Sequence, residues 1–188
     1  MRYVTLPDGR TLTTEFTAAE RSAMERDGLI RSVLPDVWVA CGTEETPALR
    51  ARLASFCIPP RLRRRVVVGW ASAAWVYGWA PPPARLEVLI DQSSRTTSAH
   101  RAAPRLLIHE VRDPLDRSVN FGPVFVSDDV RTLLDVASRC APEEAEAILR
   151  TAFRSAQTRR RLEAYLRLER SERVQRGAAR VRKLLREG

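Results

Sequence analysis

Cysteine, histidine and lysine are nearly missing from this sequence. Its 188 residues include three cysteines (Cys41, Cys57 and Cys140), two histidines (His100 and His109) and one lysine, Lys183. The cysteines are far apart and never form a C-x-x-C pair, so neither a disulfide framework nor a zinc site is suggested. No apolar run approaches the roughly 20 residues that cross a bilayer, and the N-terminal MRYVTLPDGR has no apolar signal-peptide segment. The expectation is a cytoplasmic protein without membrane contact. Also absent are G-x-G-x-x-G, G-x-x-x-x-G-K-[ST] and H-E-x-x-H, so nucleotide-cradling loops and helix-borne zinc proteases have no motif support. Gly69-Trp70-Ala71-Ser72-Ala73 stands where a strand should meet a helix, but its spacing is not the G-x-S-x-G of a nucleophile elbow. Asp91, Asp113 and Asp116 read as turn residues, and Lys183 lies in a tail without acids at a spacing that would suit a nuclease. The reading is a protein that is not an enzyme, with no catalytic residue, no metal, no cofactor and no small-molecule substrate.

What the chain has is arginine. Its formal net charge is +9, and residues 1–149 are balanced at 19 arginines against 19 acids. Residues 150–188 hold 13 cationic residues against four acids, so the last 39 residues carry the whole excess. Arginine favours planar, bidentate contacts to carboxylate or phosphate, although a GC-rich genome gives the same bias. Arg159, Arg160, Arg161, Arg167, Arg170, Arg173, Arg176, Arg180, Arg182 and Lys183 are therefore candidates for binding a protein partner or nucleic acid. The first three draw the most weight. They open a helix, where the macrodipole disfavours cations, so local helix stability offers no reason for them.

The patterns predict an α/β (α+β) chain in three parts. Residues 1–45 offer two short strands around Pro-Asp-Gly, then a helix opened by the capping box Thr17 to Glu20 and closed at Gly28, then a hairpin of LIRSV and VWVAC. Helix and hairpin form the back half of a winged helix; the two earlier helices that a complete one needs are replaced by strand and turn. Arg21, Arg26 and Arg31 are its candidate DNA contacts. Residues 46–60 form a linker helix, opened by Thr46-Pro47 and ended by Ile58-Pro59-Pro60, which resembles a domain joint. Residues 61–188 begin with the strand Val66-Val67-Val68 and a helix from about Ala71 to Trp79. Strands follow over 85–90, 105–110 and 119–126, the last interrupted at Gly122-Pro123 and the first two joined by a long polar loop, 91–104. Ser127-Asp128-Asp129 caps a helix with the stripe Val130, Leu133, Leu134 and Ala137, and helices near 142–154, 158–170 and 173–187 complete the chain.

Three of four tryptophans fall within ten residues, Trp70 to Trp79. Trp75 and Trp79, one turn apart, are expected to fill the seam between helix and sheet, each with its indole N–H bonded. Arg131 and Asp135 read as an i, i+4 pair on the solvent face of their helix, with a polar anchor against the sheet as the functional alternative. His109 reads as a hydrogen-bonded structural residue at a strand end.

The ordered set S-A-A-W-V-Y-G, P-P-P-x-x-L-E-V, H-x-V-R-x-P-L-D, G-P-V-x-V-S and R-T-L-L-D-V-A resembles the actinobacterial AbiEi-like family of antitoxins, from about Leu29 to Leu185. The resemblance implies an N-terminal winged helix for operator DNA and an α/β antitoxin domain. It also implies C-terminal helices that meet a cognate nucleotidyltransferase-like toxin. On that reading the protein is the antitoxin of a toxin–antitoxin pair of the abortive-infection type and autorepresses its operon. The alternative is a stand-alone winged-helix-type DNA-binding transcriptional regulator. If the last two helices serve only a partner, truncation after Gln157 is expected to leave a folded α/β core.

Overall fold

The computed structural model describes residues 3–6, 11–13, 16–93, 105–168 and 172–187. The Pro-Asp-Gly turn and most of the polar loop, residues 94–104 with His100, lie outside them. The chain is mixed α/β, with two small sheets and seven helices among the described residues.

The first sheet has strand order β2-β1-β4-β3, built from β1 (Tyr3–Thr5), β2 (Thr11–Thr13), β3 (Ile30–Leu34) and β4 (Val37–Ala40). Helix α1 (Ala18–Arg26) opens on both arms of its capping box: Thr17 Oγ1 accepts from the Glu20 N–H and Glu20 accepts from the Thr17 N–H. It closes at Gly28, whose φ of 68° only glycine adopts without strain. The expected hairpin forms, turning at Asp36. Its likeness to a winged helix ends there. β1 runs parallel to β4, pairing Val4 with Trp38, so the segment preceding α1 completes the sheet.

Helix α2 (Pro47–Cys57) leads to a five-stranded sheet of order β7-β6-β5-β9-β8: β5 (Val66–Val68), β6 (Leu86–Asp91), β7 (Leu106–Val111), β8 (Ser118–Asn120) and β9 (Phe125–Ser127). The run 119–126, expected as a strand interrupted at Gly122-Pro123, is a hairpin, because Gly122 at φ 92° reverses the chain between β8 and β9. The supposed joint at Ile58-Pro59-Pro60 ends α2 without separating two cores. Val33, Val37 and Val39 of the first sheet, Leu53 of α2, and Val66, Val88 and Val126 of the second form one buried cluster. Arg105, at the start of β7, pairs with the Asp36 carboxylate and donates to the Pro35 carbonyl, tying the two sheets at their edge.

Helix α3 (Trp70–Val76) follows β5 and packs closely on β6 and β9, with Ala73, Trp75 and Val76 in this same buried cluster. Gly69 permits this approach, since a Cβ there would stand 2.6 Å from Leu89 Cγ. Gly78 at φ 84° ends α3 early: its N–H bonds the Trp75 carbonyl, and the Trp79 N–H bonds that of Ala74. Trp79 is thereby turned off the helix, and the expectation of a shared Trp75–Trp79 face fails.

Helix α4 (Asp129–Arg139), capped by the Asp128 side chain, covers α3. The last helices, α5 (Pro142–Ala152), α6 (Ala156–Leu168) and α7 (Glu172–Glu187), pack on it. Leu162, Leu166, Ala178, Val181 and Leu184 join Val130, Leu133, Leu134 and Ala137 in a second core. That packing weighs against a removable tail: without α6 and α7 much of the apolar stripe of α4 would face water. Among the described residues no helix is long and apolar enough to cross a membrane.

Candidate functional site

The arginines of α6 and α7 divide into two groups. Arg159 pairs with Glu163 at 3.2 Å and donates to the Leu185 carbonyl at 2.6 Å, fastening the start of α6 to the end of α7. Arg161 reaches Asp129 at 3.0 Å, at the start of α4. Arg180 donates to the Ala137 carbonyl at 2.7 Å, near the end of α4, where a cation complements the helix dipole, and Arg182 lies 3.5 Å from the Leu166 carbonyl. The expectation that Arg159 and Arg161 lack a structural reason is corrected: their reasons are distant in sequence. Arg160 and Arg167 belong to the second group and point outward, Arg167 being 78% exposed and 3.9 Å from Glu163. Lys183 and Arg186 are exposed on α7, as is Arg154 just before α6. Arg170 lies outside the described residues, as do the side chains of Arg173 and Arg176.

The N-terminal candidates are turned to other uses. Arg21 is buried, donates to the Phe16 carbonyl and lies 5.1 Å over the Trp38 ring. Arg31 pairs with Glu45, which also accepts from Arg50 at 2.8 Å. Arg26 is exposed and reaches back to the Ser22 carbonyl at 3.3 Å. The three do not form one outward basic surface.

Arg131 is the largest departure among the motif residues. It is 3% exposed, and its guanidinium gathers the carbonyls of Pro114, at 2.7 Å, of Asp113 and of Asp116, besides Asp135 at 3.4 Å. The solvent-face reading is corrected: the pair anchors the turn after β7 to α4. Trp75 is 1% exposed in the first core, with no acceptor for its indole N–H among the described residues. Trp79 is half-buried, stacks on Tyr77 at 4.8 Å and packs against the helical cores. The Tyr77 hydroxyl donates to the Ser127 carbonyl at 2.9 Å, and burial, with Asp129 and Asp128 nearby, pushes its pKa up. Ser72, the residue nearest to a nucleophile elbow, accepts the Glu87 N–H at 2.9 Å as a structural bond.

No protein-family model matches the chain, and no curated protein matches it.

The sequence suggests a hydrogen-bonded His109, but its buried Nε2 has no hydrogen-bond partner among the described residues. It stacks on Trp70 at 3.6 Å, and its Nε2 lies 3.7 Å from Glu87 Oε1. Trp70, Glu87 and Arg139 escaped the sequence reading. A lone acid inside the apolar run LEVLI was the one available signal for Glu87. Beside them, burial, then the carboxylates of Glu144 and Glu87, push the Cys140 thiol up to about 12, which disfavours the thiolate. Among the described residues no cluster of three or more histidine, cysteine or acidic side chains could hold a metal ion.

Proposed function

We propose that the protein is an antitoxin that neutralises a nucleotidyltransferase-like toxin, in the manner of the AbiEi-like family its motifs resemble. The observation that carries the reading is the two-sided character of α6 and α7. Their apolar faces are consumed by α4, while Arg160, Arg167, Lys183 and Arg186 stand on the outside. Such a cationic outer layer suits an acidic protein surface, where arginine forks bind carboxylates and long-range charge speeds encounter. Arg21 and Arg31 are engaged within the chain, which weighs against DNA reading by α1 and its hairpin as the main activity.

The test is co-expression with the nucleotidyltransferase-like reading frame that should adjoin this one. The parent chain should restore growth, and Arg160→Glu with Arg167→Glu should abolish rescue with an unchanged melting temperature, since neither residue holds the helices together. Rescue by the double variant would remove this surface as the site. A steep fall of operator affinity with salt, flattened by the same substitutions, would favour the transcriptional regulator instead.

A further inference from the structure

Helix α6 gives one side to the core and leaves the opposite side open. Leu162 and Leu166 are buried in the core shared with α4. At about 100° per residue, Leu168 stands roughly 200° around the helix from Leu166. It is 86% exposed, more than any other large apolar side chain among the described residues. Ala164, one turn earlier, is exposed on the same side, and this pair is flanked by Arg160 and Arg167 on one edge and by Arg161 on the other. The outward side, which Gln157 completes, contains no acid. The carboxylates at its margins are engaged, Glu163 by Arg159 at 3.2 Å and Asp129 by Arg161 at 3.0 Å. Next to Leu168 around the helix, Tyr165 is half-buried, with the Arg117 guanidinium 4.4 Å from its ring centre.

We infer that this side of α6 is the centre of a protein-binding surface: Leu168 enters an apolar hollow on the partner, and Arg160 and Arg167 meet carboxylates at its rim. The inference rests on the proposed function and adds to it the anchor residue and the form of the surface that receives it. A leucine exposed by itself is ordinary. This one stands among arginines on a helix whose apolar side is already packed, where a polar residue would serve a solvated face equally well. Its place matches interfaces with an apolar middle and a charged rim, in which arginine is enriched. Charge chooses the occupant. A second copy meeting this side face to face would set Arg160, Arg161 and Arg167 against themselves. A nucleic-acid backbone would take the arginines, but its anionic sugar–phosphate surface gives Leu168 nothing apolar to enter. An acidic protein surface supplies both contacts.

The test is titration of the full chain, by calorimetry at low and at high salt, with the purified product of the adjoining nucleotidyltransferase-like reading frame. Leu168→Gln keeps the length and helix propensity of the side chain while removing its apolar end. It should bind at least about tenfold more weakly than the parent at both salt concentrations. Leu168→Met, which keeps the volume, should bind as the parent does. The difference between the parent and the Arg160→Glu, Arg167→Glu variant should instead shrink at high salt, where exposed charges are screened. All the variants should melt with the parent, since these side chains are exposed. Equal binding by the parent and Leu168→Gln, with the arginine variant impaired, would overturn the inference and leave the proposed function standing. A parent that binds duplex DNA and not the toxin would remove both. Self-association of the parent in sedimentation, lost in Leu168→Gln, would make a second copy the occupant and overturn the inference.

Discussion

Trp75 and Trp79 lie four residues apart, yet they enter different cores because Gly78 ends α3 between them. Trp75, at 1% exposure, fills the seam that joins both sheets to α2. Trp75→Ala should therefore cost about 3 to 5 kcal/mol, the range for a large aromatic removed from a core, and urea denaturation will measure it. A variant as stable as the parent would show that the ring is not a core residue. Glu45 makes a second prediction at this scale. Burial alone would raise its carboxyl, but hydrogen bonds from Arg50 and Arg31 outweigh it and hold the pKa below the ordinary 4.5. A group whose folded pKa is depressed adds stability above its unfolded pKa, and that contribution is lost as pH falls through the folded value. Between about pH 5 and pH 3 the parent should thus lose more stability than Glu45→Gln. Equal losses in urea titrations at the two pH values would show that the pair adds nothing.

Among the elements, α4 is the hub. One side covers α3, the other receives α5, α6 and α7, and Arg131 reaches from it to the turn at residues 113–116. Its contact with α7 is close, for a Cβ on Gly177 would stand 2.6 Å from the Leu134 carbonyl oxygen. Truncation after Gln157 removes Leu162, Leu166, Ala178, Val181 and Leu184 together. The shortened chain should melt well below the parent and expose enough apolar surface to bind a hydrophobic dye. A truncated chain with the parent's cooperative unfolding would restore the picture of a separable tail. The helices themselves were legible because their signals are local. Thr17 with Glu20, Thr46 with Pro47, and Asp128 each stand where the structure has a helix start. The end of α3 was misread: Tyr77-Gly78 holds the stop, but the Trp75–Trp79 spacing imitates a continuing helix.

At the scale of the whole molecule, the first sheet, α2 and the second sheet share a core, and the helical layer has its own. The sequence by itself determined the element types, the strand positions to within a residue or two at β6 and β7, the stripe of α4 and the location of the excess charge. Each of these depends on residues within a turn or a strand of one another, where propensity, capping and hydrophobic period act. Only the tertiary structure decided that β1 pairs with β4, that Pro59-Pro60 divides no domains, and that Arg21, Arg131, Arg159 and Arg161 serve the interior or the helix packing. It also brought Trp70, Glu87, His109 and Arg139 together from four different elements. The reason is physical: an arginine looks the same in sequence whether its five donors meet water or carbonyls far along the chain, and only the packed fold brings those carbonyls within hydrogen-bond reach.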